Sequence, residues 1–368
     1  MFKDYKIKNY NFRLLIFTLA LTIIGILAVG SAEEALQNRQ MMGAIVGFIL
    51  MIVISLFDYD FILKFYWVIY VFNMVLLFLV IFIGQSGGGA QRWVKIFGIQ
   101  FQPSELCKLV IIICLAGFVN KHHEELNTFK YIFLSVLMFI CPAILVYMQP
   151  DLSTTIVITI IFVCIMFVAE ISWKVIFGVA AVTLPVILIL AYLIIQPDQK
   201  IVSNYQKSRI MSFFNQESTV TDEGYQQTYS VMAIGSGQLN GKGYKNNEIY
   251  SVKNADFIAE QQTDFILAVI GEEFGFVGTF TVIFLLMIIA IECLFIGLNS
   301  STIAGRMIGT GVGIWIGFQG FVNIGVVTYI LPNTGLPLPF VSYGLTSLNC
   351  CLMAIGFVLN VGLQCREK

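Results

Sequence analysis

The feature that most constrains this chain is a series of ten apolar runs, most of them long enough to cross a bilayer. They are Phe12–Gly30, Met41–Phe57, Phe61–Gly84, Ser104–Val119, Tyr131–Tyr147, Thr154–Ala169, Val175–Ile195, Phe265–Leu298, Thr302–Ile330 and Leu345–Val361. Hydrocarbon offers no partner for backbone N–H and C=O groups, so runs of this length cross it as helices that pair their own backbone. Charged residues make up only 12% of the chain, about half the share in a soluble domain. The expected fold is an all-α polytopic membrane protein with ten transmembrane helices. Residues 1–368 form one transmembrane domain, with a large extracellular loop at 196–264 between helices seven and eight. Two of the runs exceed bilayer thickness, so their ends project or tilt.

Ten spans place both termini on one side. Counted over short loops and helix ends, that side holds Lys3, Lys6, Lys8, Arg13, Lys64, Lys121, Lys130, Lys174, Arg306, Arg366 and Lys368. The other side holds only Arg39, Arg92 and Lys95. Basic residues concentrate on the cytoplasmic face of membrane proteins, so both termini are read as cytoplasmic and the long loop as outside. The first run is longer than a signal-peptide core, so Phe12–Gly30 is expected to stay as an uncleaved helix.

Other function classes find little support. The net charge of -1 gives no footing for a nucleic-acid partner. Six cysteines, Cys114, Cys141, Cys164, Cys293, Cys350 and Cys351, sit inside apolar runs with no paired spacing, as small packing residues do. His122 and His123 lie beside Glu124 and Glu125 in a short charged turn, read as solvated. Gln102, Gln149 and Gln196 each precede a proline at even intervals, but their flanks differ and no internal repeat emerges.

Chemistry-bearing residues gather near the outer side. In Gln102-Pro-Ser-Glu-Leu-Cys-Lys108, Pro103 and Ser104 suit a helix start and place Glu105 and Lys108 on one face, three residues apart. Ionisable groups in an apolar helix are costly, so these two pair with each other or serve a polar site. Asp151, after Pro150, either caps the next helix or joins the site. Asp264 likewise either caps the helix that follows it or acts as a general base. Glu272 and Glu273 lie two turns further in, expected opposite Glu105 and Lys108. The stretch Leu331–Gly344, with three prolines, cannot continue a helix and reads as a rigid loop closing over a site.

Taken together, these motifs resemble the SEDS family, the RodA, FtsW and SpoVE proteins. The matching residues are Arg92-Trp93, Gln102-Pro-Ser-Glu-Leu-Cys-Lys108, Gln149-Pro-Asp-Leu152, Gly224-Tyr-Gln, Ala233-Ile-Gly-Ser-Gly237, Gly241-Lys-Gly243, the stretch from Thr263 through Asp264 to Phe276, Asn323–Thr328 and Leu336–Gly344. The resemblance implies a peptidoglycan glycosyltransferase with ten transmembrane helices. Such a protein polymerises lipid II on the outer face of the bacterial cytoplasmic membrane and releases undecaprenyl pyrophosphate. It makes Asp264 the catalytic residue and Glu105 with Lys108 a buried pair beside it. Arg92, Trp93, Gln102, Ser104, Gln149, Asp151, Thr263, Glu272 and Ser342 then support the site or contact substrate, and Arg92 and Lys108 could neutralise the leaving pyrophosphate. No dedicated metal ligands are visible, although a divalent cation such as Mg or Mn would suit a pyrophosphate. Implied partners are a class B penicillin-binding protein transpeptidase and other elongasome or divisome proteins. A lipid-linked precursor flippase and a non-catalytic scaffold for a cell-wall synthase are the alternatives. Ser153, Gln238, Leu345 and Asn333 depart from residues common in the family.

Overall fold

A computed structural model describes residues 10–87, 90–96, 99–173, 222–245 and 258–365. The elements in order are α1 (Phe12–Ala32), α2 (Glu34–Leu56), a short α3 (Tyr59–Leu63), α4 (Tyr66–Ile83), β1 (Gln85–Gly87), β2 (Ala90–Ile96), β3 (Ile99–Phe101), α5 (Pro103–Lys121), α6 (Phe129–Met148) and α7 (Leu152–Val168). Then come α8 (Asp222–Ser236), α9 (Ile266–Leu298), α10 (Ile303–Val327) and α11 (Leu345–Cys365). Among the described residues, eight helices are long and apolar enough to cross a membrane, and α7 is a shorter apolar helix. Nine of the ten expected spans thus have a helix in place. The seventh, Val175–Ile195, lies outside the described residues, as does most of the loop at 196–264.

The core runs along α5, which packs against α4, α6, α7, α10 and α11. From Pro103 to Val119 every residue of α5 except Leu106 is buried. A helix that is apolar all round has no solvent face, so it belongs at the centre of the bundle. Helices α1, α2, α4 and α6 instead turn large apolar side chains outward, such as Ile16, Ile49, Phe72 and Phe133, as lipid-facing helices do.

Two elements depart from the expectation. The segment carrying Arg92 is an antiparallel sheet in the order β1-β2-β3, with Gln85 opposite Trp93 and Val94 opposite Phe101. Part of the long loop is the helix α8, whose Gln227 and Ser230 donate to the backbone carbonyls of Val326 and Val327 at the end of α10 and of Leu331 just beyond it.

The over-long eighth run resolves into two pieces. Gly275 adopts φ 63°, ψ -155° inside α9, a region essentially reserved for glycine. This cuts the two helical bonds that Phe276 and Val277 would make to the carbonyls of Glu272 and Glu273. All four freed groups find partners in residues 238–243. Phe276 N donates to Gln238 O at 2.8 Å and Val277 N to Leu239 O at 3.2 Å. The carbonyls of Glu272 and Glu273 accept from Lys242 N and Gly243 N, both at 3.0 Å. Irregular backbone at membrane depth persists only when its polar groups are re-paired in this way. The approach is close: a Cβ on Gly241 would lie 2.1 Å from Glu273 O. Beyond the break, Phe276–Leu298 is about a bilayer's length on its own and turns Phe280, Phe284, Met287 and Ile291 outward. Before it, Ile266–Glu273 is buried throughout. Asp264 stands just ahead of this buried half-helix.

Candidate active site

Asp264 is held through its backbone. The carbonyls of three successive residues, Gln262, Thr263 and Asp264, are each taken by a donor from distant sequence. Tyr343 N donates to Gln262 O at 2.9 Å, Ser342 Oγ to Thr263 O at 2.5 Å, and Asn323 Nδ2 to Asp264 O at 2.8 Å. The proline-rich stretch 336–344 is therefore a strap bonded along the approach to Asp264, as its composition suggested. The strap is itself anchored: Asn323 also donates to Leu336 O at 2.7 Å, Gln319 to Pro337 O at 2.8 Å, and Gln40 of α2 to Ser342 O at 3.1 Å. Ser342 Oγ accepts from Leu338 N at 2.7 Å. Phe265 occupies the cap position of α9, and Asp264 stands one residue ahead of it. The Asp264 side chain is half-buried, at the entrance to the half-helix.

Glu105 and Lys108 do form an ion pair, Nζ to Oε1 at 2.7 Å, with both residues buried. Lys108 also donates to Gln319 Oε1 at 2.7 Å and lies 5.0 Å from the centre of the Trp315 ring. Its ammonium is thus enclosed in the bundle between Glu105 and Gln319.

Arg92, on β2, reaches the start of α7. Its guanidinium donates to the carbonyl of Pro150 and lies 3.8 Å from Asp151 Oδ1. The capping reading of Asp151 is realised. Oδ1 accepts from Thr154 N at 3.2 Å and so caps α7, while Oδ2 accepts from Ser104 Oγ at 3.3 Å and from Gln102 Nε2 at 3.5 Å. Asp151 thereby ties the starts of α5 and α7 to the Arg92 strand. Gln149, buried, donates to Leu77 O at 2.9 Å and braces α4 against α6. Trp93 is half-buried on β2 beside Arg92. Ser153, one of the departures from the family pattern, donates to the carbonyl of Thr334 and ties the start of α7 to the segment just before the strap.

Glu272 and Glu273 both have partners from other segments. Glu272 accepts from Lys242 Nζ at 2.7 Å, and Glu273 accepts from Ser31 Oγ at the end of α1. They fasten the half-helix to the loop and to α1. Thr263 Oγ1 donates to Glu260 O at 3.2 Å within the approaching turn. Gln319, Asn323, Gln40 and Trp315 were not foreseen as site residues. A signal for two of them was present: Gln319 and Asn323 are amides one turn apart in an otherwise apolar helix, a costly placement without a purpose.

Residues 9–367 match the family of FtsW, RodA and SpoVE proteins, described as cell cycle proteins. The chain belongs to that family. Among its relatives is a protein of Geobacter metallireducens named as a probable peptidoglycan glycosyltransferase FtsW, 32% identical over 98% of this chain and 96% of its own length. Its namesake in Geobacter sulfurreducens is 30% identical over the same shares. In three dimensions the chain superposes on the rod shape determining protein RodA of Thermus thermophilus with TM-score 0.68, 25% identity and 97% of each chain covered. A further match, with TM-score 0.78, 25% identity and coverage of 98% of this chain and 99% of the other, is to a structure concerned with coordination of polymerization and crosslinking by a peptidoglycan synthase complex. The family and the helices together make this a multi-pass membrane protein of the RodA and FtsW fold.

Proposed function

We propose that this protein is a peptidoglycan glycosyltransferase that polymerises lipid II on the outer face of the bacterial cytoplasmic membrane, with both termini cytoplasmic. Relatives covering nearly the whole chain carry that activity in their names. The observation that carries the reading is the three-carbonyl grip on residues 262–264, which fixes the backbone bearing one carboxylate, Asp264, at the entrance to the buried half-helix. Asp264 takes the proton from the acceptor hydroxyl as its oxygen bonds to the anomeric carbon of the donor sugar. The bond from that carbon to the pyrophosphate oxygen breaks, and undecaprenyl pyrophosphate leaves. A single inverting displacement of this kind needs one base, and general-base catalysis contributes on the order of 100- to 10,000-fold. Arg92, partly exposed at the start of α7, supplies positive charge for the leaving group. No step is assigned to a divalent cation: among the described residues no three His, Cys, Asp or Glu side chains gather to hold one.

By analogy with the synthase complex whose structure this chain resembles, a class B penicillin-binding protein is the proposed crosslinking partner. The test is incubation of the purified protein with lipid II, alone and with its candidate transpeptidase. Glycan strands support the reading. A formed complex that makes none would favour a flippase or a scaffold.

A further inference from the structure

We propose that Gln319 is a positioning residue for this reaction, converting the buried charge of Lys108 into a fixed hydrogen-bond donor that holds the strap over Asp264. The inference rests on the reading of Asp264 as the base. Its geometry is independent of that reading.

The orientation of the Gln319 amide is chemically forced. Oε1 receives Lys108 Nζ at 2.7 Å and Trp315 Nε1 at 2.8 Å, two groups that only donate. Nε2 meets Pro337 O at 2.8 Å, a group that only accepts. A flipped amide would set N–H against N–H on one side and oxygen against oxygen on the other. An ionised donor strengthens the bond it makes, and Gln319 is 0% exposed, so no water competes. One turn further along α10, Asn323 spends both its N–H groups on Leu336 O and Asp264 O. Two neighbouring carbonyls of the strap, those of Leu336 and Pro337, are thus held by two amides on one face of one helix. The second amide also holds Asp264.

The chain of contacts is continuous from Glu105 through Lys108, Gln319 and Pro337 to the strap that binds Thr263 through Ser342. The buried Lys108 thereby gains a purpose in the reaction. Without its charge the amide keeps only Trp315 Nε1 as donor to Oε1, and the bond that anchors Pro337 of the strap weakens. Reacting groups displaced by about 1 Å lose on the order of 100-fold in rate.

The test uses Gln319→Met and Gln319→Glu in the full-length protein, with lipid II as substrate and rates measured from mildly acidic to mildly alkaline pH. Gln319→Met fills the same space with neither bond, and kcat should fall on the order of 100-fold while KM stays near its wild-type value. Gln319→Glu keeps the acceptor for Lys108 and Trp315 but loses the donor to Pro337 unless the introduced carboxyl holds a proton. The charged or titratable groups around it are Lys108 and Glu105 on α5, with Cys350 and Cys351 of α11 interacting with both. The rate of Gln319→Glu relative to wild type should therefore rise on acidification, which a space-filling role would not produce. Wild-type kcat in Gln319→Met, or a relative rate for Gln319→Glu independent of pH, overturns the proposal. If Gln319→Met fails to fold, the pH profile of Gln319→Glu decides. Asp264→Asn serves as control. Activity in that variant would remove the base itself, whereas an inactive Asp264→Asn beside normal Gln319 variants would remove only the role of Gln319.

Discussion

Breaking the Glu105–Lys108 pair from one side should cost far more than removing both charges together. Lys108 is 0% exposed and its ammonium lies 2.7 Å from Glu105 Oε1 and 2.7 Å from Gln319 Oε1. Lys108→Met leaves a carboxylate enclosed in the bundle with its cation gone, and removing one partner of a buried pair costs about 3–5 kcal/mol. Glu105→Met strands the ammonium and should cost a similar amount, softened because Gln319 still accepts from it. The double variant leaves no stranded charge, and replacing a whole buried pair by apolar groups is often nearly neutral. The coupling between the two sites, the near-neutral double minus the two single losses, should therefore be about 5 kcal/mol or more, above the roughly 0.5–3 kcal/mol usual for residues in contact. Equilibrium unfolding of the four detergent-solubilised proteins closes the cycle. The double variant should unfold later than either single one, yet polymerise slowly because Gln319 has lost its charged donor. Single-variant losses that add to within about 0.5 kcal/mol would refute the account of this pair.

Two further substitutions probe the frame of the site. Asp151→Ala removes the cap of α7, worth about 1 kcal/mol, together with the bonds from Ser104 and Gln102; thermal melting should show a larger loss than the cap alone explains, and Asp151→Asn should recover part of it. Gly241→Ala would set a methyl group 2.1 Å from Glu273 O at a residue with φ +80°, so the clip on the α9 break should open, with faster hydrogen exchange at Phe276 and Val277 than at the far end of the same helix.

Much of the scaffold was readable because hydrocarbon leaves a run such as Phe12–Gly30 no alternative to a helix. Boundaries were less so: α2 begins at Glu34, ahead of the apolar run at Met41, because the polar turns before it stay helical above the apolar stretch. The β2 strand, Ala90–Ile96, is short and set among glycines, and its pairing is local and weakly signalled. The break at Gly275 could not be seen in α9 itself, since glycine in a long apolar run is ordinarily tolerated and Gly271 and Gly278 nearby stay helical. It depends on residues 238–243 supplying four backbone partners. At the site, residue types and spacing pointed to Glu105, Lys108 and Asp151. The strap was legible from its prolines. The bond from Lys108 to Gln319 joins positions 211 residues apart, and only the packing of α5 against α10 reveals it. The partners of Glu272 and Glu273 were hidden for the same reason: Lys242 and Ser31 lie in segments that helical spacing cannot bring to them.

The most direct test of the central claim compares wild type with Asp264→Asn in lipid II polymerisation by the purified protein with its transpeptidase partner. The amide is nearly isosteric, and the grip on residues 262–264 uses carbonyls the substitution leaves alone. The variant should therefore fold, insert and bind its partner normally. Loss of glycan strands from Asp264→Asn, with wild type active, is the predicted result. Strands of normal yield from Asp264→Asn would contradict it and leave the strap holding something other than the catalytic base.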